Sequence, residues 1–392
     1  MNASVGQWMD QVTRSWLIYQ MTDSATQLGL VNAVRGLPFL FFGMIAGVYA
    51  DRSGRKAQLV WAQATNVALN LILGVLVATG QVHPWHVYVT GFLAGAVQAF
   101  QQPARQTLIS DLVKRDQLMN ALALNSAALQ LARSVGPTIA GLLIASVGIH
   151  GSYFVQAVLF ALATQWTLQM RVPERSAENI RSGQDPFVQS LREGAGFIFG
   201  HHHIRALMLL ALGSFVLAWP YSSLMPVFAR DILNGDARLQ GVLFTTIGLG
   251  ALGGALLVAS LPRDGGRAWM VCLGAGGLGL AVMGFGLSSW LPLTLVMCVL
   301  IGIAGTAYQT QAQTMIQITT PSRLRGRVMG VYLLNVGLNP IGSSVIGVLA
   351  ELFGAPAAVT VMSGASIVLT ALVTVFTPGL WRMRVEPAER QE

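Results

Sequence analysis

Twelve stretches of about 20 mostly apolar residues run almost end to end through the 392 residues of this chain. They limit what it can fold into more than any other feature. They lie near 4–20, 27–50, 57–79, 84–102, 120–147, 151–169, 206–228, 239–261, 268–288, 291–310, 325–353 and 356–379. That length is what an α-helix needs to cross the hydrocarbon of a bilayer, where every backbone group must be satisfied within the segment. Charged residues make up only 10% of the chain, too few to keep a water-facing surface free of apolar patches. The expected fold is therefore all-α and polytopic, with twelve transmembrane helices and lipid as the solvent for most of the surface.

The charges that are present fix the sidedness. With the start of the first helix on the cytoplasmic side, 19 of the 24 Lys and Arg residues fall in the even-numbered loops and the C-terminal tail, and only Arg230 and Arg238 fall in the opposite loops. Cytoplasmic loops retain Lys and Arg in this way, so both termini are expected in the cytosol. The same distribution accounts for the net charge of +8 without a nucleic-acid partner, since it forms no basic face or stripe. Trp61, Trp85, Tyr88, Trp269 and Trp290 fall near the expected interfaces, as an aromatic belt would.

Several chemistries find no support. Cys272 and Cys298 both sit in apolar runs, so no disulfide framework is expected. His201, His202 and His203 are adjacent; on a helix they would point in different directions, a poor chelate, and no metal is expected there. No phosphate-binding loop, catalytic triad spacing or HExxH motif stands out, so neither an enzyme nor an ATP-driven pump is indicated.

The longest polar stretch, 171–205, divides the chain six plus six. The expected domains are an N-terminal bundle at 1–170, a cytoplasmic linker at 171–205 with an amphipathic helix over 187–199, a C-terminal bundle at 206–379 and a tail at 380–392. The halves echo each other. A shift of 206 positions carries Gly136, Gly141 and Gly148 onto Gly342, Gly347 and Gly354. Two parallel six-helix repeats are a common plan for transporters that work by alternating access.

The hairpin after the second stretch reads Gly47-Val-Tyr-Ala-Asp51-Arg52-Ser-Gly54-Arg55-Lys56, which matches the G-x-x-x-D-R-x-G-R-K/R signature of the major facilitator superfamily. Gly54 suits a tight turn. Asp51 could accept from arginines or from a helix N-terminus, the eleventh helix offering Thr320 as cap and Pro321 as first helical residue. The resemblance implies a conformational latch formed by Gly47, Asp51, Arg52, Gly54, Arg55 and Lys56. Further segments, among them Leu37-Pro38-Phe39-Leu40, Gln102-Pro103-Ala104-Arg105-Gln106, Asn120-Ala121, Arg133-Ser134-Val135-Gly136-Pro137 and Arg325-Gly326-Arg327, resemble the enterobactin-exporter-like branch, also called the transmembrane secretion effector family. Across nearly the whole chain this resemblance implies proton-driven efflux of drugs or siderophores from a bacterial inner membrane. It implies a small-molecule substrate, no bound cofactor, and a monomer without an obligate protein partner. Gly136, Pro137 and Gly141 are similar to the tail of the fifth-helix antiporter motif. The fourth helix, in contrast, has no Arg, which other drug–proton branches carry there. Family members also carry a longer lead before the equivalent of Gly6. Uptake, lipid translocation and a non-transporting sensor on the same fold remain open as alternatives.

Ionisable groups inside hydrocarbon are costly, so those that occur should face a cavity or a partner. Asp10, Arg14, Arg35 and Arg133 lie well inside the stretches. Asp10 and Arg14 share a helix face by their spacing, as do Gln130 and Arg133. Asp10 is expected to be a proton- or substrate-coupled carboxylate, with Arg14 and Arg133 holding its charge and attracting anionic substrate groups. A purely structural buried pair fits the same residues. In the second half, Trp219 and Tyr221 flank Pro220 and could break the seventh helix while offering rings to a substrate. Asn335 and Asn339 stack on the eleventh; both pairs could equally be packing elements.

Overall fold

The computed structural model describes residues 1–52, 55–113, 117–170, 187–260, 268–321, 323–377, 379 and 381. The polar part of the expected linker, 171–186, and the tail from 382 onward lie outside the described residues. Among those described, every regular element is helical. Helices α1 (Asn2–Thr22), α2 (Ala25–Arg52), α3 (Arg55–Ala78), α4 (Pro84–Leu112), α5 (Leu118–Val147) and α6 (Ile149–Gln169) correspond to the first six apolar stretches. A shorter helix, α7 (Phe187–Gly200), precedes the second half.

The seventh stretch is not a plain helix. It runs as α8 (His202–Gly213), a π-helical turn over Ser214–Ala218, a 3-10 segment over Trp219–Leu224, the short α9 (Met225–Val227) and a second π turn over Phe228–Ile232. Pro220 and Pro226 each remove a backbone donor here, and freed carbonyls are expected to unwind a helix in this way. Helices α10 (Ala237–Ser260), α11 (Ala268–Leu287) and α12 (Leu291–Thr319) follow. The eleventh stretch, continuous in the sequence, is divided into α13 (Arg325–Gly337) and α14 (Asn339–Phe353), and α15 (Ala355–Phe376) ends the helical series. The division falls where Pro340 occupies the opening turn of α14, a position that needs no N–H donor. Thr320 does not cap the eleventh helix as expected. Its hydroxyl donates back to the Ile316 carbonyl at 2.6 Å, closing α12.

Among the described residues, seven helical segments are long and apolar enough to cross a membrane on composition alone. Large apolar side chains stand outward, among them Leu256, Leu280, Val375 and Phe376 at 62–73% exposure. Buried positions, in contrast, hold Gln63, Asn66, Gln156, Ser343 and Ser363. This inversion of the water-soluble pattern is what a lipid-solvated bundle requires. Trp61, Trp85 and Trp290 are exposed as well.

By contacts the chain forms two units: residues 1–184 with 225–245, and 185–224 with 246–392. In the first, α2 packs along α4, α3 along α6, and α1 against α5 and α6. A buried hydroxyl–amide cluster joins α1 to α6: Thr13 and Ser152 hydroxyls meet at 2.8 Å, and Gln156 donates to both. The segment 225–245 is clasped to this unit. Arg230 pairs with Asp23 at 2.5 Å and lies over the Tyr19 ring, and the Tyr19 hydroxyl donates to Asp231. In the second unit α11 packs along α12 and α15, and α7 lies along α13.

The internal repeat is carried in geometry as well as in spacing. Gly148 and Gly354 close α5 and α14 in the left-handed half of backbone space, at φ 92° and 85°, where a side chain would be strained. Gly136 abuts the Val5 carbonyl of α1, and Gly342 abuts the Val216 carbonyl of the seventh span. Equivalent glycines thus make equivalent close approaches in both halves.

Candidate functional site

The buried face of α1 places Asp10 and Arg14 one turn apart. Arg14 grips the carboxylate with two donors, Nη2 to Oδ1 at 2.8 Å and Nε to Oδ2 at 3.3 Å. Its remaining nitrogen, Nη1, donates to the Val87 carbonyl at 3.0 Å and to the Thr90 hydroxyl at 2.7 Å, both on α4. Each nitrogen of the Arg14 guanidinium thus has at least one partner. A forked, charge-assisted pair of this kind is among the stronger contacts a protein makes.

The second cation at Asp10 comes from α2. Arg35 Nη2 lies 3.3 Å from Asp10 Oδ2. Its position is set by a helix crossing: a Cβ added to Gly95 of α4 would stand 1.9 Å from the Arg35 carbonyl oxygen. Only glycine lets the two backbones come that close. Arg133, the partner expected from the sequence, stands elsewhere, with its guanidinium 5.3 Å over the Trp8 ring. Trp8 and Asp10 are two positions apart on α1, so they point to nearly opposite sides of the helix. A guanidinium held over Trp8 is on the wrong face to reach Asp10.

Around the three charges lies a cavity of about 10 Å³, room for about one water, lined also by Gln7, Asn66, Leu69, Asn70, Ala94, Gln98 and the Phe160 ring. Gln7 donates to Gln101 at 2.6 Å, and Asn70 donates to the Asn66 carbonyl at 2.7 Å. Tyr153 is fully buried, and its hydroxyl has no hydrogen-bond partner among the described residues. Asn66, Asn70, Gln98 and Tyr153 are absent from the sequence-based candidates. A signal existed for the two asparagines, which sit four apart within an apolar stretch and so share a helix face. Nothing in the sequence places Gln98 or Tyr153 beside them.

Of the hairpin residues, Gly47, Asp51 and Arg52 belong to the last turns of α2, and Gly54 lies outside the described residues. Arg55 opens α3. Lys56 donates to the carbonyls of Leu168 and Met170, each at 2.7 Å. These are orphan acceptors at the end of α6, where a cation also meets the negative end of the helix dipole. The antiporter-like residues serve close packing. Besides the contact of Gly136 with Val5, a Cβ at Gly141 would stand 2.5 Å from the Ala237 carbonyl, and one at Gly241 would stand 2.9 Å from that of Pro137. Gln130 is half-buried, and its backbone carbonyl accepts from Ser134 at 3.2 Å.

In the second unit the candidates are engaged in packing. Tyr221 is buried with its ring edge-on to Phe285, centroids 5.7 Å apart. Trp219 is half-buried against the core around Tyr308 and Tyr332. Asn335 faces Met208 Sδ at 3.9 Å. Asn339 donates to the Phe215 carbonyl at 3.0 Å, which ties α14 to the π turn of the seventh span.

Comparison with known proteins adds to this geometry. Among solved structures the chain resembles a bacterial homologue of the human lysosomal transporter Spinster in an inward-facing, unoccupied conformation, with TM-score 0.76 and 17% identity over 99% of this chain and 96% of that one. It also resembles the nucleoside transporter NupG, with TM-score 0.67 and 15% identity over 98% of this chain and 97% of that one. At that identity the likeness concerns the fold. Among curated sequences it is 29% identical to the multidrug efflux pump Tap of Mycobacterium tuberculosis over 98% of this chain and 93% of that protein. It is 23% identical to the staphyloferrin A transporter of Staphylococcus aureus over 93% and 91%, and 26% identical to the enterobactin exporter EntS of Shigella flexneri over 95% and 88%. A family model described as transmembrane secretion effector matches residues 1–389. The chain is thus a multi-pass membrane transporter of the major facilitator fold, and it belongs to the transmembrane secretion effector family.

Proposed function

We propose that this protein is a proton-coupled exporter of small amphipathic molecules, drugs or siderophores, working by rocking of its two six-helix bundles. It acts as a monomer in the bacterial cytoplasmic membrane with both termini in the cytosol. The observation that carries the reading is the buried Asp10–Arg14–Arg35 charge network inside the first unit. Three ionised groups at that depth are costly to bury, and membrane proteins keep such groups where ions or substrates pass. The activities named for the relatives, multidrug efflux, staphyloferrin A transport and enterobactin export, supply the substrate classes. The loop distribution of Lys and Arg supports the sidedness.

In this reading Asp10 exchanges partners during the cycle. A ligand or proton moves a conformational equilibrium only by binding one state better than another. The pairing with Arg35, held by a single 3.3 Å contact, is the one that loosens, while the forked pairing with Arg14 persists. The test is a deletion strain carrying either the wild type or Asp10→Asn, scored for sensitivity to a panel of toxic compounds and for siderophore in the medium. Asp10→Asn is expected to behave like the empty strain at equal membrane abundance. Full protection by that variant would remove Asp10 from the mechanism.

A further inference from the structure

A groove with unanswered positive charge lies in the second unit, away from the Asp10 cluster. Glu193 and Phe197 of α7, Arg323 and Leu324 just before α13, and Arg327 in its first turn line an open groove of about 660 Å³. Small-molecule sites take about 300–1,000 Å³. Its walls are firmly held. Arg327 donates to Glu193. A Cβ added to Gly194 would stand 2.8 Å from the Arg327 carbonyl oxygen, so α7 lies directly on α13. Ile198, one turn further along α7, is anchored in the core. Arg325 Nε donates to the Gln317 carbonyl at 2.9 Å and ties α13 to the end of α12. Arg323 differs from these. It is exposed and has no hydrogen-bond or ion-pair partner among the described residues. With Arg192, next to Glu193 in the chain, four arginines and one carboxylate meet in these two short segments.

The position of the groove narrows the ligand. The apolar span of α12 ends at Thr319 and the seventh span begins at His202, so the groove stands where helices leave the hydrocarbon. On α7 the side opposite Gly194 and Ile198 carries Arg192 and Phe199, the latter 70% exposed. A base and an aromatic ring on one outward face suit a helix that lies in a membrane interface. A soluble anion would answer Arg323 and leave Phe197 and Leu324 wet.

We infer that this groove binds the headgroup of an anionic phospholipid, its phosphate between Arg323 and Arg327 and the first carbons of its chains against Phe197 and Leu324. Guanidinium forks match phosphate oxygens, and a bilayer surface supplies that group at the depth where the groove opens. Arg327 is shared with Glu193, so Arg323 carries most of the selectivity. The site does not depend on what the protein moves across the membrane.

The experiment titrates the full-length, detergent-purified protein with phosphatidylglycerol or phosphatidylcholine of identical chains and follows bound lipid by native mass spectrometry. The wild type is expected to prefer phosphatidylglycerol by about tenfold. Arg323→Gln is expected to cut that preference about fivefold, the worth of one arginine near an anionic surface, and to bind phosphatidylcholine as the wild type does. Arg238→Gln, which removes an exposed arginine of the first unit, is expected to leave the preference intact. Equal binding of the two lipids by the wild type would overturn the inference, as would a preference that Arg323→Gln keeps or that Arg238→Gln lowers as much. Should Arg323→Gln fail to give folded protein, the double variant is replaced by the wild-type comparison, which decides alone. Inorganic phosphate, which has no chains, is expected to displace the lipid only in large excess. Displacement at equal concentration would assign the groove to a soluble anion, and the inference would fail.

Discussion

At the scale of single residues, the two arginines at Asp10 have different tasks, and their variants should separate. Arg14→Met leaves a buried carboxylate without its forked partner and strips donors from Val87 and Thr90. Breaking a buried pair from one side costs about 3–5 kcal/mol, so this variant should unfold at markedly lower temperature or fail to accumulate. Arg35→Gln removes one long contact and leaves Asp10 held by Arg14. A loss of about 1 kcal/mol is expected, with the defect falling on substrate handling. Thermal unfolding in detergent, paired with efflux from cells, reads both. Half of this arrangement is legible in the sequence. Asp10 and Arg14 stand four apart on one helix, so their pairing follows from helical geometry. The Arg35 contact depends on where α2 crosses α4, a fact no local spacing contains. Arg133 looks equally suitable in sequence and fails because Trp8, on the opposite face of α1, holds its guanidinium.

At the scale of elements, close helix crossings are set by glycines whose missing side chain makes room for a neighbouring backbone. Gly95→Ala would drive a methyl into the Arg35 carbonyl, with 1.9 Å between them. Backbone cannot step aside as a side chain can, so a loss of about 3 kcal/mol is expected. The contrast is Gly74→Ala, whose added methyl meets the Phe154 ring at 2.8 Å. A ring can rotate or shift, and about 1 kcal/mol is the expected cost. Midpoints from a thermal size-exclusion assay of the two variants should differ in that order; equal midpoints would mean that the α2–α4 crossing relaxes freely. Most elements are readable, since each apolar stretch meets a helix and Pro220 marks the distorted part of the seventh span. The division of the eleventh is signalled too, by the Asn339-Pro340 pair, which suits the start of a helix better than its interior. The start of α13 is not readable in this way. Thr320 and Pro321 look like a cap and first turn, but the Thr320 hydroxyl is turned back into α12.

At the scale of the whole molecule, the account depends on lipid surrounding the helices and on the cytosolic side being the one rich in Lys and Arg. Cys272 and Cys298 are both buried, at 4% and 0% exposure, so a single introduced cysteine can report sidedness. Arg192→Cys should react with a membrane-impermeant maleimide only in everted vesicles, and Arg238→Cys only in intact cells. The reverse pattern would invert the topology. The repeat glycines argue that both halves descend from one plan. The Asp10–Arg14–Arg35 cluster, in contrast, belongs to the first unit, the half to which the proposed coupling is assigned. The most direct test of that claim is flux in proteoliposomes, using the compound to which the deletion strain is most sensitised, with and without an imposed pH gradient. Gradient-stimulated transport by the wild type, collapsed by a protonophore and absent in Asp10→Asn, is the expected result. Transport that ignores the gradient, or that Asp10→Asn carries at the wild-type rate, would contradict the account.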